Sequence, residues 1–313
     1  MDDSSSRRVG ERKRHSWLVN FFIRLAKEKP LGAVGGVMTL LVLLIAIFAD
    51  FIAPYGLNET RVTDFLASPS AAHLFGGDQL GRDLFSRIVY GARIPVIIGL
   101  VGTPLSVVIS VVVGGLSAYI GGKFDLVVQR FVDAVLCFPA LIILIVAMSI
   151  IGPGLWNVMI IVAIVFGIGG SRVIRGAIIS MKENVYVQAA VAIGCSTPRV
   201  LIRHMLPNIM PITVVLLTTR IPSMILTEAS MSFLGFGIPP PTPSWGGMLS
   251  AEGRTYMYLS SRLAVWPGLA LASVVYGANM FGDAVRDILD PRLRGGAGRY
   301  GGRAKKEATT KKR

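Results

Sequence analysis

The sequence predicts an all-α integral membrane protein with six transmembrane helices, and both its composition and its charge pattern lead to this fold class. Of the 313 residues, 52% are hydrophobic and 16% are charged, whereas a soluble domain carries about 25% charged residues. The mean hydropathy is +0.61. A bilayer core about 30 Å thick requires roughly 20 apolar residues for each helix that crosses it. The composition therefore argues against an ordinary soluble enzyme and against a disordered chain.

Charge-free runs locate the predicted spans. The clearest runs extend from Pro30 to Ala49, from Ile94 to Gly122 and from Ala134 to Ser171. The last of these is too long for one helix, and Gly152-Pro153-Gly154 divides it into a hairpin of two helices. The six predicted spans are 31–53, 94–120, 134–151, 155–172, 208–228 and 263–282.

The distribution of basic residues predicts that both termini are cytoplasmic. The segments on the N-terminal side of the membrane hold 25 Lys and Arg residues, and the opposite segments hold 6. Cytoplasmic segments of membrane proteins carry this kind of excess. The net charge of +14 therefore follows from topology and from contact with anionic lipid. No nucleic-acid-binding motif accompanies it, so we expect no nucleic-acid partner.

The chain divides into four predicted parts. Residues 1–30 form a cytoplasmic basic segment, and residues 31–93 comprise the first span and an outer loop. Residues 94–290 form a five-helix core, and residues 291–313 form a basic tail that we expect to be disordered. The first part contains an amphipathic run that predicts a helix in the cytoplasmic membrane interface. An alternative is that this run is only the start of the first span.

The outer loop contains one predicted short helix. Leu84, Phe85, Ile88 and Val89 form an apolar face, and Asp83 favours the start of the helix.

The segment between the fourth and fifth spans, residues 184–207, predicts two short helices joined by a bend. Asn184 is the expected N-cap of the first helix, which runs from Val185 to Ile193. Gly194 stands where a helix commonly ends in the left-handed conformation. The segment therefore projects from the membrane as a folded loop, although an ordinary cytoplasmic connection is an equal alternative.

The second short helix begins at Thr197, the expected N-cap, with Pro198 in the favoured first helical position. We expect this helix to end near Leu206, with Pro207 marking the turn into the fifth span. Small side chains that would allow another protein to approach closely are Ala189, Ala190 and Ala192.

This loop is similar to the EAA loop of ATP-binding-cassette importer permeases. The family pattern is E-A-A, three residues, Gly, nine residues and then I-x-L-P. The sequence has Gln188-Ala189-Ala190, Gly194 and His204-Met205-Leu206-Pro207 at the same spacing. It departs from the pattern at Gln188, where the family has Glu, and at His204, where the family has Ile.

The outer loops resemble those of the dipeptide, oligopeptide and nickel permeases, in particular the C-type subunit. The resemblance covers about residues 20–294. The segments that carry it are Phe75–Asp78, Leu80–Asp83, Ser86–Arg87, Gly91–Arg93, Ser232–Gly235 and Pro240–Gly246.

The resemblance implies a permease subunit of an ATP-driven importer for di- or oligopeptides in the inner membrane of a bacterium or archaeon. It implies three kinds of partner, namely a second homologous permease, two cytoplasmic ATPases and an extracytoplasmic solute-binding protein. The residues implied to couple the permease to the ATPases are Val187, Gln188, Ala189, Ala190, Gly194, Thr197, Pro198, Leu206 and Pro207.

We expect this chain to be a non-enzymatic subunit without a cofactor, with ATP and magnesium bound by the partner ATPases. The sequence around Gly122-Lys123 lacks the earlier glycine and the following Ser or Thr of a phosphate-binding loop. The three histidines are scattered, so no metal site is predicted. A membrane-embedded enzyme would need a reactive constellation, and none is visible in the sequence.

Arg220 and Glu228, in the predicted fifth span, are candidates for the translocation path or its outer gate, because charges inside a membrane are costly and often functional. An internal salt bridge or a snorkelling side chain is the alternative. A secondary transporter or channel that works without ATPases is the alternative function, although mid-membrane ionisable groups and repeats typical of that class are scarce here.

Overall fold

The computed structural model describes residues 17–289, and the regular elements in this range are all helices. The predicted all-α fold is therefore confirmed for this range. Our expectations for residues 1–16 and for the basic tail 291–313 lie outside the described residues. In chain order the elements are α1 (Trp17–Glu28), α2 (Pro30–Ile47), α3 (Ala49–Ile52), α4 (Leu84–Gly91), α5 (Arg93–Ile97), the π-helical segment π1 (Ile98–Gly102), α6 (Thr103–Ile120), α7 (Gly122–Leu136), α8 (Ala140–Ile151), α9 (Leu155–Lys182), α10 (Val185–Ala192), α11 (Thr197–Arg199), the π-helical segment π2 (Val200–Met205), α12 (Leu206–Phe233), α13 (Trp245–Met248), α14 (Ala251–Tyr256) and α15 (Arg262–Leu289).

Within residues 17–289, five helices are long and apolar enough to cross a membrane. The pair α7 and α8 brings the total to six if the two are taken as one broken span. This count agrees with the six spans predicted from charge-free runs.

The third predicted span, 134–151, is wrong as a single straight helix. The axes of α7 and α8 differ by 89°. The break covers residues 137–139 and ends at Pro139, the N-cap of α8, because proline disfavours helical geometry in the residue before it and lacks the amide hydrogen that a continuing helix needs. A straight run of apolar residues in the sequence thus conceals a sharp bend.

Two long helical runs contain a short stretch of π-helix. One run extends from Leu84 to Ile120 and the other from Thr197 to Phe233, and each is 37 residues long. In each case the π-helical segment ends shortly before a proline, Pro104 or Pro207. The wider turn moves the preceding carbonyls away from the proline ring, which would otherwise clash with the carbonyl four residues before it.

These continuous runs correct two expected boundaries. The helix that enters the second span begins at Leu84 rather than at Ile94, so the end of the predicted outer loop is helical. The expected turn at Pro207 is also wrong, since α11, π2 and α12 follow one another directly. Pro207 follows π2 within this continuous run, and the π-helical turn accommodates it.

Helices α6 and α9 pack against each other at very short distance because small residues face each other. A Cβ placed on Gly114 would lie 2.2 Å from the carbonyl oxygen of Ser171. Ser110 Oγ donates a hydrogen bond of 2.8 Å to the carbonyl oxygen of Gly167. Such small-residue contacts are typical of helix packing in membranes. They make α6 and α9 a tightly joined pair.

Helix α9 reaches beyond the predicted span 155–172. Its 28 residues correspond to about 42 Å, which exceeds the roughly 30 Å of a bilayer core. The hairpin before it is confirmed, since Gly152 and Gly154 both have positive φ angles. The end of α9 therefore carries the following loop out of the membrane core.

The predicted cap of the outer-loop helix is confirmed. Asp83 Oδ2 accepts a hydrogen bond of 2.8 Å from the backbone N–H of Ser86. The adjacent carboxylate of Asp78 pairs with Arg82 at 2.6 Å, and both side chains are buried. On the same side, Trp245 Nε1 donates to the carbonyl oxygen of Ile88. The predicted outer loop is thus folded, and its charged side chains pair with or cap groups within the loop.

Candidate functional site

The loop that follows α9 contains the predicted short helix, α10, and ends it as the sequence predicts. Gly194 has φ +83°. Its N–H donates to the carbonyl oxygen of Val191 at 2.9 Å, and the N–H of Cys195 donates to that of Ala190 at 3.1 Å. These two bonds define a Schellman motif, in which the residue at Gly194 must adopt the left-handed conformation. Gly194 thereby sets the direction of the chain after α10.

The two expected N-caps differ from the prediction in detail. Asn184 occupies the N-cap position of α10, but its side chain makes no capping hydrogen bond. Its carbonyl oxygen instead accepts from the backbone of Val187 and Gln188. Thr197 is wrong as the second N-cap, because Ser196 holds that position and Thr197 is already helical. The following proline is tolerated there since N–H groups in the first helical turn have no helical partner.

One face of α10 is buried against this chain. Val187 is 2% exposed and Ala190 is 5% exposed. Both belong to an apolar cluster that also contains Ile178 of α9, Val200 of π2 and residues of α6 and α12. The expectation that Ala190 faces another protein is therefore wrong. Its methyl group fills the joint between α10 and the membrane helices.

The opposite face of α10 is apolar and exposed. Val185 and Ile193 are each 81% exposed. Ala189 and Ala192 lie between them and are also exposed. Residues spaced four and seven or eight apart share one face of a helix. Contiguous exposed apolar residues outside a membrane mark a surface that binds another protein.

A cavity of about 430 Å³ lies between α10 and the ends of α6 and α9. Tyr119, Lys182, Gln188 and Val191 are among its lining residues. Lys182 Nζ donates 2.9 Å to the carbonyl oxygen of Tyr119, at the C-terminal end of α6. A lysine at this position stabilises both the last carbonyls and the helix dipole of α6. Lys182 thereby joins the start of the loop to α6.

Most of the remaining predicted loop residues are exposed, and Leu206 packs against the apolar cluster. Gln188 is exposed, and its Nε2 donates to the carbonyl oxygen of Glu183 at 3.3 Å. Pro198 and Pro207 are exposed, whereas Leu206 is half-buried. The loop residues named from the sequence therefore divide into two sets, one that holds α10 in place and one that is accessible.

A second connection lies beside the loop, between α7 and α9. Arg175 donates to both oxygens of Asp125, with Nε to Oδ1 at 2.8 Å and Nη2 to Oδ2 at 2.5 Å. Ser117 of α6 donates to the same carboxylate. The group links three helices at the end of the molecule that carries α10.

Arg220 and Glu228 are separate groups. Arg220 Nη1 donates to the carbonyl oxygen of Phe166, and its guanidinium carbon lies 5.6 Å from the centre of the Phe166 ring. Glu228 is 3% exposed and accepts a hydrogen bond of 2.7 Å from Ser232 Oγ. Eight positions along one helix correspond to about 12 Å. A salt bridge between Arg220 and Glu228 is therefore wrong, and their role in a path stays a prediction.

Sequence reasoning missed the residues that fasten the loop. Lys182, Asp125 and Arg175 stand in stretches that the hydropathy pattern treats as span ends. The signal was present as isolated charges flanking apolar runs, but pairing across 50 residues of sequence depends on the crossing of α7 over α9. Val185 and Ile193 were also missed, because apolar residues at the ends of a short helix are ordinarily buried.

Comparison with known proteins agrees with this arrangement. A family described as binding-protein-dependent transport system inner membrane component matches residues 106–295. A second, described as the N-terminal TM domain of oligopeptide transport permease C, matches residues 17–69. Both descriptions name membrane components of transport systems.

Relatives align over most of the chain. The glutathione transport system permease protein GsiD of Escherichia coli O6:K15:H31 (strain 536 / UPEC) is 37% identical over 275 residues, covering 88% of this chain and 90% of the relative. GsiD of Shigella dysenteriae serotype 1 (strain Sd197) has the same identity and coverage. The oligopeptide transport system permease protein OppC of Bacillus subtilis (strain 168) is 36% identical over 268 residues, covering 86% of this chain and 88% of the relative.

The chain belongs to the family of inner membrane components of binding-protein-dependent transport systems. It is a multi-pass permease subunit of an ABC importer and is not itself an enzyme. The alternative of a secondary transporter or channel is thereby set aside.

Proposed function

We propose that this chain is the C-type permease subunit of an ATP-driven importer for di- and oligopeptides. The names of the relatives support this solute class, because one transports glutathione, itself a small peptide, and another transports oligopeptides. The match of residues 17–69 to the N-terminal domain of oligopeptide transport permease C supports the subunit type.

The proposed setting is the inner membrane of a bacterium or archaeon, with both termini in the cytoplasm. The basic asymmetry of 25 against 6 residues supports this orientation. It brings the loop at 184–207 to the cytoplasmic side, where ATPases act.

The proposed assembly contains a second homologous permease, which completes the translocation path, and two cytoplasmic ATPases. An extracytoplasmic binding protein delivers the solute. ATP and magnesium are bound by the ATPases, and the lack of a phosphate-binding loop around Gly122-Lys123 supports this division of labour.

The exposed apolar face of α10 is the observation that carries the proposal. When the ATPases close around ATP, they displace α10 through this face. The buried side chains of Val187 and Ala190, together with Lys182, transmit the displacement to α6, α9 and α12. A rigid joint is needed here, because a loop that yielded would dissipate the motion before it reached the membrane helices.

Arg220 and Glu228 remain candidates for the translocation path or its outer gate. Glu228 lies toward the outer end of α12 in the proposed orientation. Its partner Ser232 accepts a hydrogen bond of 3.1 Å from the backbone N–H of Ile238. This chain of bonds connects α12 to the turn that begins the second outer loop, which supports a role at the outer end.

The double substitution Val185→Asp and Ile193→Asp tests the docking face. Both side chains are exposed, so the fold should tolerate the change. Burying carboxylates in an apolar contact should weaken ATPase binding at least about tenfold. The measurements are co-purification of the ATPases and uptake of labelled peptide into cells.

Tyr258→Asp provides the matched control, since Tyr258 is 90% exposed and lies in the second outer loop. It should leave ATPase co-purification unchanged. Undiminished docking and uptake in the Val185→Asp, Ile193→Asp variant would show that another surface couples the permease to the ATPases.

A further inference from the structure

A second, wholly apolar groove lies between α6, α9 and π2, apart from the docking face of α10. Its volume is about 220 Å³. Gly115 and Leu116 line it from α6, Ile178 from α9, and Ile202 and Leu206 from the helical run that follows the loop. Leu116 is 41% exposed and Ile202 is 66% exposed, so the rim of the groove is open to the surroundings.

The groove lies near the end of α6 that faces the cytoplasm in the proposed orientation. Gly115 is five residues before the last residue of α6, which corresponds to about 8 Å along the axis. In the proposed orientation the α6 side of the groove thus lies within the cytoplasmic leaflet, and the side formed by Ile178 and Ile202 lies toward the membrane surface. At this depth an exposed apolar surface is in contact with lipid rather than with water.

Basic residues neighbour the groove-lining residues along the chain, on the side that faces the cytoplasm in the proposed orientation. Lys182 lies one turn beyond Ile178 on α9, and its Nζ uses the carbonyl oxygens of Ala118 and Tyr119 at 3.3 Å and 2.9 Å. An ammonium group has three donors, so one remains for a further acceptor. Arg199 and Arg203, in α11 and π2 beside the other wall, are exposed. No acidic side chain is among the described residues that line the groove.

We propose that this groove binds an acyl chain of an anionic phospholipid from the cytoplasmic leaflet, with the lipid phosphate held by Lys182 and the neighbouring arginines. An apolar groove near the cytoplasmic membrane surface, whose lining residues are neighbours in sequence of Lys182, Arg199 and Arg203, fits a lipid of this kind. The opposite charge of the headgroup favours lipid over an apolar protein segment as the occupant.

Lipid bound here would strengthen the joint on which coupling depends. It would fill the space between α6 and π2, and Lys182 also lines the cavity beside α10. The inference depends on the proposed orientation but not on the identity of the solute. A failure of the lipid test would therefore leave the assignment of peptide transport untouched.

Gly115→Leu tests the groove directly. Gly115 is buried, yet a Cβ added to it would meet no atom within 4 Å. A leucine side chain would therefore project into the groove without a clash at its base. Gly176→Leu on α9 is the matched control, since Gly176 is exposed and its added Cβ also meets nothing within 4 Å. Lys182→Gln removes the charge and keeps a donor for the carbonyl of Tyr119.

The intact importer complex, purified in detergent, is titrated with phosphatidylglycerol or phosphatidylcholine, and native mass spectrometry counts the bound lipids. We expect the wild type and Gly176→Leu to retain phosphatidylglycerol in preference to phosphatidylcholine. Gly115→Leu should lose this preferred lipid. Lys182→Gln should weaken phosphatidylglycerol binding about fivefold, the effect of one basic residue at a lipid surface.

Three results would overturn the proposal. One is equal retention of phosphatidylglycerol by Gly115→Leu and the wild type. Another is equal binding of the two lipids by the wild type. The third is loss of the second permease from the Gly115→Leu complex, which would mean that a protein rather than a lipid covers the groove.

Discussion

At the scale of single residues, Gly194 determines the direction of the docking helix through its backbone conformation alone. Its φ is +83°, and a Cβ placed there would meet no atom within 4 Å. A substitution therefore causes no clash, and its cost is conformational, roughly 1 kcal/mol and more for a β-branched residue. The site thus separates the effect of backbone direction from the effect of packing.

We predict that Gly194→Val leaves membrane insertion intact, weakens ATPase docking and abolishes uptake, because α10 is re-aimed. Gly194→Asn should retain more activity, since asparagine tolerates the left-handed conformation. Gly176→Val, in an exposed helical position, is the control. The checks are membrane content, ATPase co-purification and peptide uptake. Wild-type uptake by Gly194→Val would contradict the proposed geometry.

Arg220 and Glu228 can also be tested one residue at a time, because each has its own partner. Glu228→Gln keeps an acceptor for Ser232 Oγ, and Arg220→Gln removes the long donor to the Phe166 carbonyl. If the two groups line the path or its outer gate, each variant should reduce uptake while assembly and basal ATPase activity persist.

The exchange Arg220→Glu with Glu228→Arg should restore nothing, since the two side chains are not partners. Partial rescue by this exchange would argue for a pairing in another state of the transporter. Normal uptake in both single variants would remove the residues from the path.

Gly194 and Ala190 differ in how far the sequence predicts their positions. The left-handed Gly194 was predictable from spacing, because few residue types suit that backbone conformation. The inward direction of Ala190 was not predictable, since α10 is apolar on both faces and its sequence does not distinguish the buried side. Only the position of α10 against Ile178 and Val200 resolves the two faces.

At the scale of helices, the ion pair between Asp125 and Arg175 connects α7 to α9 near the coupling loop. The two side chains are 16% and 32% exposed. A partly exposed pair with two-point geometry contributes on the order of 1 kcal/mol. Removing either Asp125 or Arg175 should therefore lower the stability of the protein by a modest and similar amount.

We expect Asp125→Asn to lower the melting temperature of the purified complex by about 2 °C or less, since about 1 kcal/mol shifts the melting temperature less as a protein becomes larger. Exchanging the two residues should restore part of the loss. Glu28→Gln removes an ion pair with Arg24 in which both side chains are more exposed, at 53% and 35%. It should change the melting temperature very little. The account of α7 would be wrong if both variants behaved alike in a thermal denaturation assay.

Helix positions followed from charge-free runs, but helix bends did not. The length of a span can be predicted from the sequence, because the thickness of the bilayer sets the number of apolar residues that a crossing helix needs. At Pro139 the chain leaves one helix and starts the next, whereas π2 carries the helix past Pro207. The presence of a proline in an apolar run does not distinguish these two outcomes. The same residue type therefore ends a helix at one position and is absorbed at the other.

At the scale of the whole molecule, the permease consists of a bundle of membrane helices and one protruding loop, residues 184–207, which contains α10. The closely packed pair α6 and α9 supports this loop, and α10 exposes apolar side chains on its outward face. The family and the position of its loop could be predicted from the sequence, because the spacing of Ala189-Ala190, Gly194 and Leu206-Pro207 is kept. The contacts that hold this loop in place, made by Lys182 and by the buried face of α10, could be seen only in the structure.

In the proposed assembly the exposed face of α10 contacts the ATPase subunits. The most direct test of this contact is a photo-crosslinking amino acid placed at Ala189, with Gly176 as the control position on α9. Irradiation of the intact complex should yield a covalent adduct between Ala189 and an ATPase, and none from Gly176. A complex that purifies with its ATPases but gives no ATPase adduct from Ala189 would contradict the account.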